Sequence, residues 1–105
     1  MENSMEKRIW NIEQMEKDLD HCSEVLQKYE EILTQYREVQ EKIRTLSAYY
    51  GSAQWREDFE DSENGRLPKD LKCGVLTEDA VWNLLTDNKE LTVEMLETAV
   101  QILKN

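Results

Sequence analysis

The stretch from Met5 to Tyr50 reads MEKRIWNIEQMEKDLDHCSEVLQKYEEILTQYREVQEKIRTLSAYY and contains neither glycine nor proline. Nothing in it breaks a helix, and its apolar residues recur at steps of three and four. Ile12, Met15, Leu19, Cys22, Leu26, Tyr29, Leu33, Tyr36, Ile43 and Tyr50 fall on one heptad seam, the pattern of a coiled coil. Gln40 and Ser47 interrupt that seam. Val25, Ile32, Val39 and Leu46 form a second apolar row beside the first, so the stripe is narrow from Ile12 to Cys22 and wide from Val25 onward. A narrow stripe suits a two-helix seam, and a wide one suits packing into a core. Glu13–Lys17 and Glu24–Lys28 add i,i+4 pairs in the favourable order.

Length then becomes the difficulty. About 45 helical residues span roughly 65–70 Å, whereas a compact domain of this size is only about 35 Å across. A straight helix would leave its apolar seam bare over about half its length. The chain can fold back near His21–Ser23, or stay straight and pair with a second copy. The lack of a strong breaker at that point favours the straight form and a homodimer, antiparallel or parallel.

Punctuation begins at Tyr49. All three glycines and the single proline lie in YYGSAQWREDFEDSENGRLPKDLKCGVL, residues 49–76. Gly51 is placed to end the first helix and Ser52 to cap a short second one, Ala53 to about Asp61. On that helix Trp55 and Phe59 share a face and are expected in the core, opposite the acids between Glu57 and Glu63. Asn64-Gly65 signals a turn, Leu67-Pro68 an extended or single-turn segment, and Gly74 another bend. Thr77 is expected to cap a further helix with Glu78 and Asp79 in its first turn, ending at Asp87-Asn88. A last helix is expected from about Thr92, with Met95, Leu96, Ala99, Ile102 and Leu103 facing inward. The expected fold is all-α and single-domain. A long heptad helix (1–50) leads to a turn-rich corner with a short helix (51–76), then to two C-terminal helices (77–105). The short helices form a cap of about three, packed on the second half of the long one.

Composition narrows the function classes. The chain carries 23 acidic and 13 basic side chains in 105 residues, a formal charge of −10. That balance disfavours direct contact with nucleic acid, whose binding depends on clustered Lys and Arg, and disfavours anionic membrane surfaces. A basic protein partner remains open. No apolar run has the length of a signal peptide or a membrane span. Cys22 and Cys73 make neither a disulfide framework nor a zinc set, so a reducing cytoplasm is the expected compartment.

Reaction chemistry finds little support. Taking Gly65 as the sixth position of a calcium loop puts Glu60, Ser62 and Asn64 at positions one, three and five, with Leu67 at the eighth. The twelfth position, which needs a bidentate glutamate, is Leu71, and Pro68 intrudes, so a solvated acidic turn is the better reading. His21 lies off the seam and Cys22 on it; adjacent helical side chains diverge by about 100°, so they form no nucleophile–base pair alone. Cys73, beside Lys72 and Gly74, is the better reactive candidate, though an inert half-buried thiol is the plainer expectation. No catalytic set, cofactor or metal is expected. Tyr49, Tyr50, Trp55, Phe59 and Trp82 could line a groove, but at this spacing beside leucines they read as core. Trp10, large and near a helix end, is placed to anchor a second chain or a partner.

The strings LSAYYGSAQWREDFE and NGRLPKDLKCGVLTEDAVWNLL also resemble a small uncharacterised bacterial family, domain of unknown function 4298. The resembling pattern is a polar heptad helix, Tyr-Tyr-Gly-Ser, Trp, acids, Gly-x-Leu-Pro, and Gly-Val-Leu-Ser/Thr-Glu-Asp opening a helix. Tyr49, Tyr50, Gly51, Ser52, Trp55, Asp58, Gly65, Leu67, Pro68, Gly74, Val75, Leu76, Glu78 and Asp79 stand at its positions. Cys73 departs from it, where a basic residue is the expected one. The resemblance implies a bacterial cytoplasmic protein and brings no reaction, ligand or partner.

Two readings of function follow. One is a non-enzymatic scaffold or adaptor that associates through the N-terminal seam, with Trp10, Ile12, Met15, Leu19, Cys22, Leu26, Tyr49 and Trp55 as its candidate surface. The other is an acidic decoy that occupies the basic groove of a nucleic-acid-handling protein. Bases interleaved along the first helix dilute any phosphate-like array and weaken that second reading.

Overall fold

A computed structural model describes residues 2–105. Its elements are α1 (Glu2–Tyr49), α2 (Ala53–Glu63), a single 3-10 turn (Gly74–Leu76) and α3 (Ala80–Lys104), with no strand among the described residues. The chain is all-α, with a long N-terminal helix followed by shorter ones. Its internal contacts fall into two units, the first ending at Val39 and the second covering Gln40–Asn105.

The first unit is helix alone. It runs through His21–Ser23 without a break, so the fold-back at that point does not occur. The sequence gives the reason: no residue there costs a helix more than a few tenths of a kcal/mol relative to alanine. Glu24 and Lys28 form the anticipated i,i+4 pair at 2.9 Å on the exposed face.

In the second unit the end of α1 meets everything that follows. Gly51 adopts φ +81, the left-handed geometry that stops α1, and Ser52 then caps α2 by accepting the Trp55 amide at 3.1 Å. α2 continues two residues past the expected Asp61. It closes in a Schellman motif, where Gly65 N–H donates to Ser62 O at 3.2 Å and Arg66 N–H to Asp61 O at 2.9 Å. Gly65, at φ +68, supplies the left-handed residue, and Arg66 pairs with the Asp61 carboxylate at 3.1 Å.

The Thr77 hydroxyl accepts the Ala80 amide at 3.3 Å and donates to Gly74 O at 2.8 Å, but the N-cap of α3 is Asp79 rather than the expected Thr77, and its side chain makes no capping bond. α3 therefore starts at Ala80, and Glu78 and Asp79 precede it rather than filling its first turn. The expected stop at Asp87-Asn88 is absent, and one helix replaces two. Asp and Asn favour caps because their side chains compete for nearby backbone groups. Asn88 instead spends its amide on Gln40: its Nδ2 donates to Gln40 Oε1 at 3.0 Å, and Gln40 Nε2 donates to Asn88 Oδ1 at 3.1 Å. The helix then carries on, with Thr92 Oγ1 donating back to Asn88 O at 2.8 Å.

The core is small. Among the described residues Leu76 and Val81 alone are buried, at 7% and 3% exposure. Ile43, Leu46, Trp55, Phe59, Leu67, Val75 and Leu85 are half-buried. Two expectations of burial are overturned here. Met95, Leu96, Ala99, Ile102 and Leu103 are all exposed, as is Trp82, and the wide stripe at Val25, Ile32 and Val39 is exposed as well. Periodicity identifies which face is apolar; it does not supply the element that covers it.

Candidate interaction surface

Two places hold the residues singled out by the sequence: the exposed seam of α1, and the corner around Tyr49, Tyr50 and Trp55.

On the seam, Ile12, Met15, Leu19, Leu26 and Tyr29 are each half to two-thirds exposed, as is Ile32 in the row beside it. Leu26 reaches 68% and Trp10 62%. Cys22 is an exposed free thiol on the same row, and His21 is exposed beside it. Scattered exposed apolar side chains are ordinary, but a contiguous apolar row on one helix face is the mark of a contact surface.

At the corner the aromatic rings pack on one another rather than lining an open groove. Trp55 stacks on Phe59 with centroids 5.1 Å apart and planes 15° from parallel, while Tyr50 meets Trp55 edge to face at 5.1 Å. Their polar tips reach across to the following loop. The Trp55 indole N–H donates to Val75 O at 3.0 Å, and the Tyr50 hydroxyl donates to Glu78 O at 2.9 Å.

Tyr49 turns instead to α2. Its hydroxyl donates to Asp58 Oδ2 at 2.5 Å, and Gln54 Nε2 donates to the other oxygen of that carboxylate at 2.8 Å. The hydrogen bond to Asp58 is the main reason the Tyr49 phenol is pushed up to about 12, with desolvation and the electrostatic influence of Asp58 and then Cys73 adding to it. A phenol held this way is a locked donor, not a base. Cys73 is half-buried, and its thiol donates weakly to Leu71 O at 3.4 Å.

The acidic turn is not arranged as a cation loop. Glu60 and Ser62 lie within α2, Asp61 is paired with Arg66, and no group of three or more His, Cys, Asp or Glu among the described residues could hold a metal ion. Nor is any described helix long and apolar enough to cross a membrane.

Of the candidate surface, the structure leaves Trp10, Ile12, Met15, Leu19, Cys22 and Leu26 together on one exposed helix. It places Tyr49 and Trp55 in the packed corner. Tyr50, Gly51, Ser52, Gly65 and Gly74 have structural positions there, and Asp79 accepts the first amide bond of α3 from Asn83 at 2.8 Å. Pro68 lies exposed in the loop, its carbonyl accepting from Leu71 N–H at 3.1 Å. The Gln40–Asn88 pair was missed by sequence reasoning, although a lone glutamine on an apolar seam was a signal that some partner must meet it.

These positions lie within a family match. The family model described as Domain of unknown function (DUF4298) matches residues 12–98. The chain belongs to that family. No curated protein and no solved structure matches the chain. The match takes in the seam from Ile12, the whole corner and most of α3, so the family embraces both the exposed row and the packed turn.

Proposed function

We propose that the protein is a small acidic helical scaffold, not an enzyme, which self-associates through the seam of α1 and so presents two copies of its second unit. The observation that carries this reading is the bare apolar row. Met5, Ile12, Met15, Leu19, Val25, Leu26, Tyr29 and Ile32 are each about half to two-thirds exposed. At roughly 200 Å² for a large side chain they offer roughly 900 Å² per chain, against about 800 Å² per partner in a standard interface.

Sedimentation equilibrium tests the reading. The native chain is expected at dimer mass, retained in about 1 M salt because an apolar seam is not screened. Leu26→Glu is expected to weaken association at least tenfold by placing a charge in the seam. A monomeric native chain at high concentration overturns the proposal. Capture of a basic partner that is lost steeply with salt would favour the acidic decoy in its place.

A further inference from the structure

We infer that the two copies pair antiparallel, in one register, with Leu26 of each chain opposite Tyr29 of the other. This rests on the self-association proposed above and adds its orientation, which the side rows of α1 decide. With Leu19, Leu26 and Leu33 at heptad position a and Cys22, Tyr29 and Tyr36 at d, the flanking g row is Asp18, Val25, Ile32 and Val39. The flanking e row is Glu16, Ser23, Glu30 and Arg37. One flank is therefore mostly apolar and the other charged or polar.

In a parallel pair each g residue meets an e residue of the partner chain. Val25 would then lie against Glu30 and Ile32 against Arg37, so the exposed apolar g row would be covered by charged side chains. In an antiparallel pair g meets g and e meets e, so Val25 lies beside Ile32 twice over, and both are about half exposed and available. The charged row chooses among antiparallel registers. Slipping by one heptad in one direction sets Glu16 against Glu30 twice, and slipping the other way sets Glu30 against itself. A two-heptad slip in the first direction puts Val25 beside Asp18 and Ile32 beside Asn11, with polar groups facing the apolar row. A two-heptad slip in the second direction pairs Glu30 with Arg37, but it centres the contact on Leu33 and Tyr36 and sets Leu26 against Ile43, and Leu33, Tyr36 and Ile43 are already half-buried. The register with Leu26 facing Tyr29 and Leu19 facing Tyr36 centres on exposed residues, puts Glu16 beside Arg37 twice and sets no like charges together. In that register opposite charges attract and Val25 and Ile32 close on one another, with Asp18 meeting Val39 only at the edge of the contact.

The test places a spin label at Lys7→Cys, on the exposed c row, in a Cys22→Ser, Cys73→Ser background, and reads the distance between labels in the dimer. The symmetry centre lies between Lys28 and Gln27, so the two labels are expected about 60 Å apart. A parallel pair would hold them within about 25 Å, because interaxial distances are 8–10 Å. Charge reversal checks the register. Glu16→Arg and Arg37→Glu are each expected to weaken dimerisation about three- to tenfold, and the double variant to restore it. A short label distance in a species of dimer mass overturns the orientation and leaves self-association standing. A long distance without restoration by the double variant overturns the register. Monomer mass removes both.

Discussion

The three glycines of the corner allow a prediction in which steric and backbone effects separate cleanly. A Cβ added at Gly51, Gly65 or Gly74 would meet nothing within 4 Å, so an alanine there pushes no neighbour. Backbone geometry alone distinguishes them. Gly51 at φ +81 and Gly65 at φ +68 are left-handed, and Gly74 is not. Holding an alanine in left-handed geometry costs about 1–2 kcal/mol. Restricting the unfolded chain by replacing glycine returns about 0.4–1 kcal/mol where the geometry is tolerated. Gly51→Ala is therefore expected to lose about 1 kcal/mol, and Gly74→Ala to gain up to about 1 kcal/mol. At about 4–8 °C per kcal/mol for a chain near this size, the two midpoints should differ by up to about 8–16 °C. Gly51→Asn should lose less than Gly51→Ala, because asparagine tolerates left-handed geometry. Thermal melts followed by far-ultraviolet circular dichroism, at one protein concentration so that association contributes equally, measure this. Equal losses at Gly51 and Gly74, or no loss at Gly51, would refute the assignment of α1 termination to backbone handedness.

Two further outcomes can be read from the same corner. Because Asp58 holds the Tyr49 phenol near 12 rather than its ordinary 10.0, one of the four tyrosines should ionise late in an absorbance titration, and Asp58→Asn should bring it back. The folded pKa exceeds the unfolded one, so this contribution to stability is complete below pH 10 and is lost as pH rises through 12. Trp55→Phe keeps the ring packing but removes the donor to Val75 O, and is expected to cost about 1–2 kcal/mol in urea unfolding; an unchanged midpoint would show that water serves that carbonyl equally well.

Local chemistry was the legible part of this molecule. Gly51, Ser52 and Gly65 could be assigned their roles from residue type alone, because left-handed glycine and a hydroxyl cap act within a few residues of chain. The length of α1 was legible for the same reason, since no breaker interrupts it. What could not be read depends on partners distant in sequence. Asp87-Asn88 reads as a helix end until Gln40 engages Asn88, and nothing near Asn88 announces Gln40. The face of Leu96 and Leu103 reads as core because hydrophobic periodicity has no term for what lies opposite. Of the candidate surface, the seam was visible as a pattern. Packing of Tyr49 and Trp55 was the plainer reading of their spacing, and only the structure adds their hydrogen bonds to Asp58 and Val75.

The loop after α2 is tethered at Val75 and Glu78 through main-chain oxygens, by the Trp55 indole and the Tyr50 hydroxyl. A clasp of that kind cannot sense which side chain follows each oxygen. Exchanges at position 78 should therefore leave its anchorage intact, while the aromatic donors have few substitutes. The segment is free to vary its outward chemistry from one chain to another without being released from its mooring.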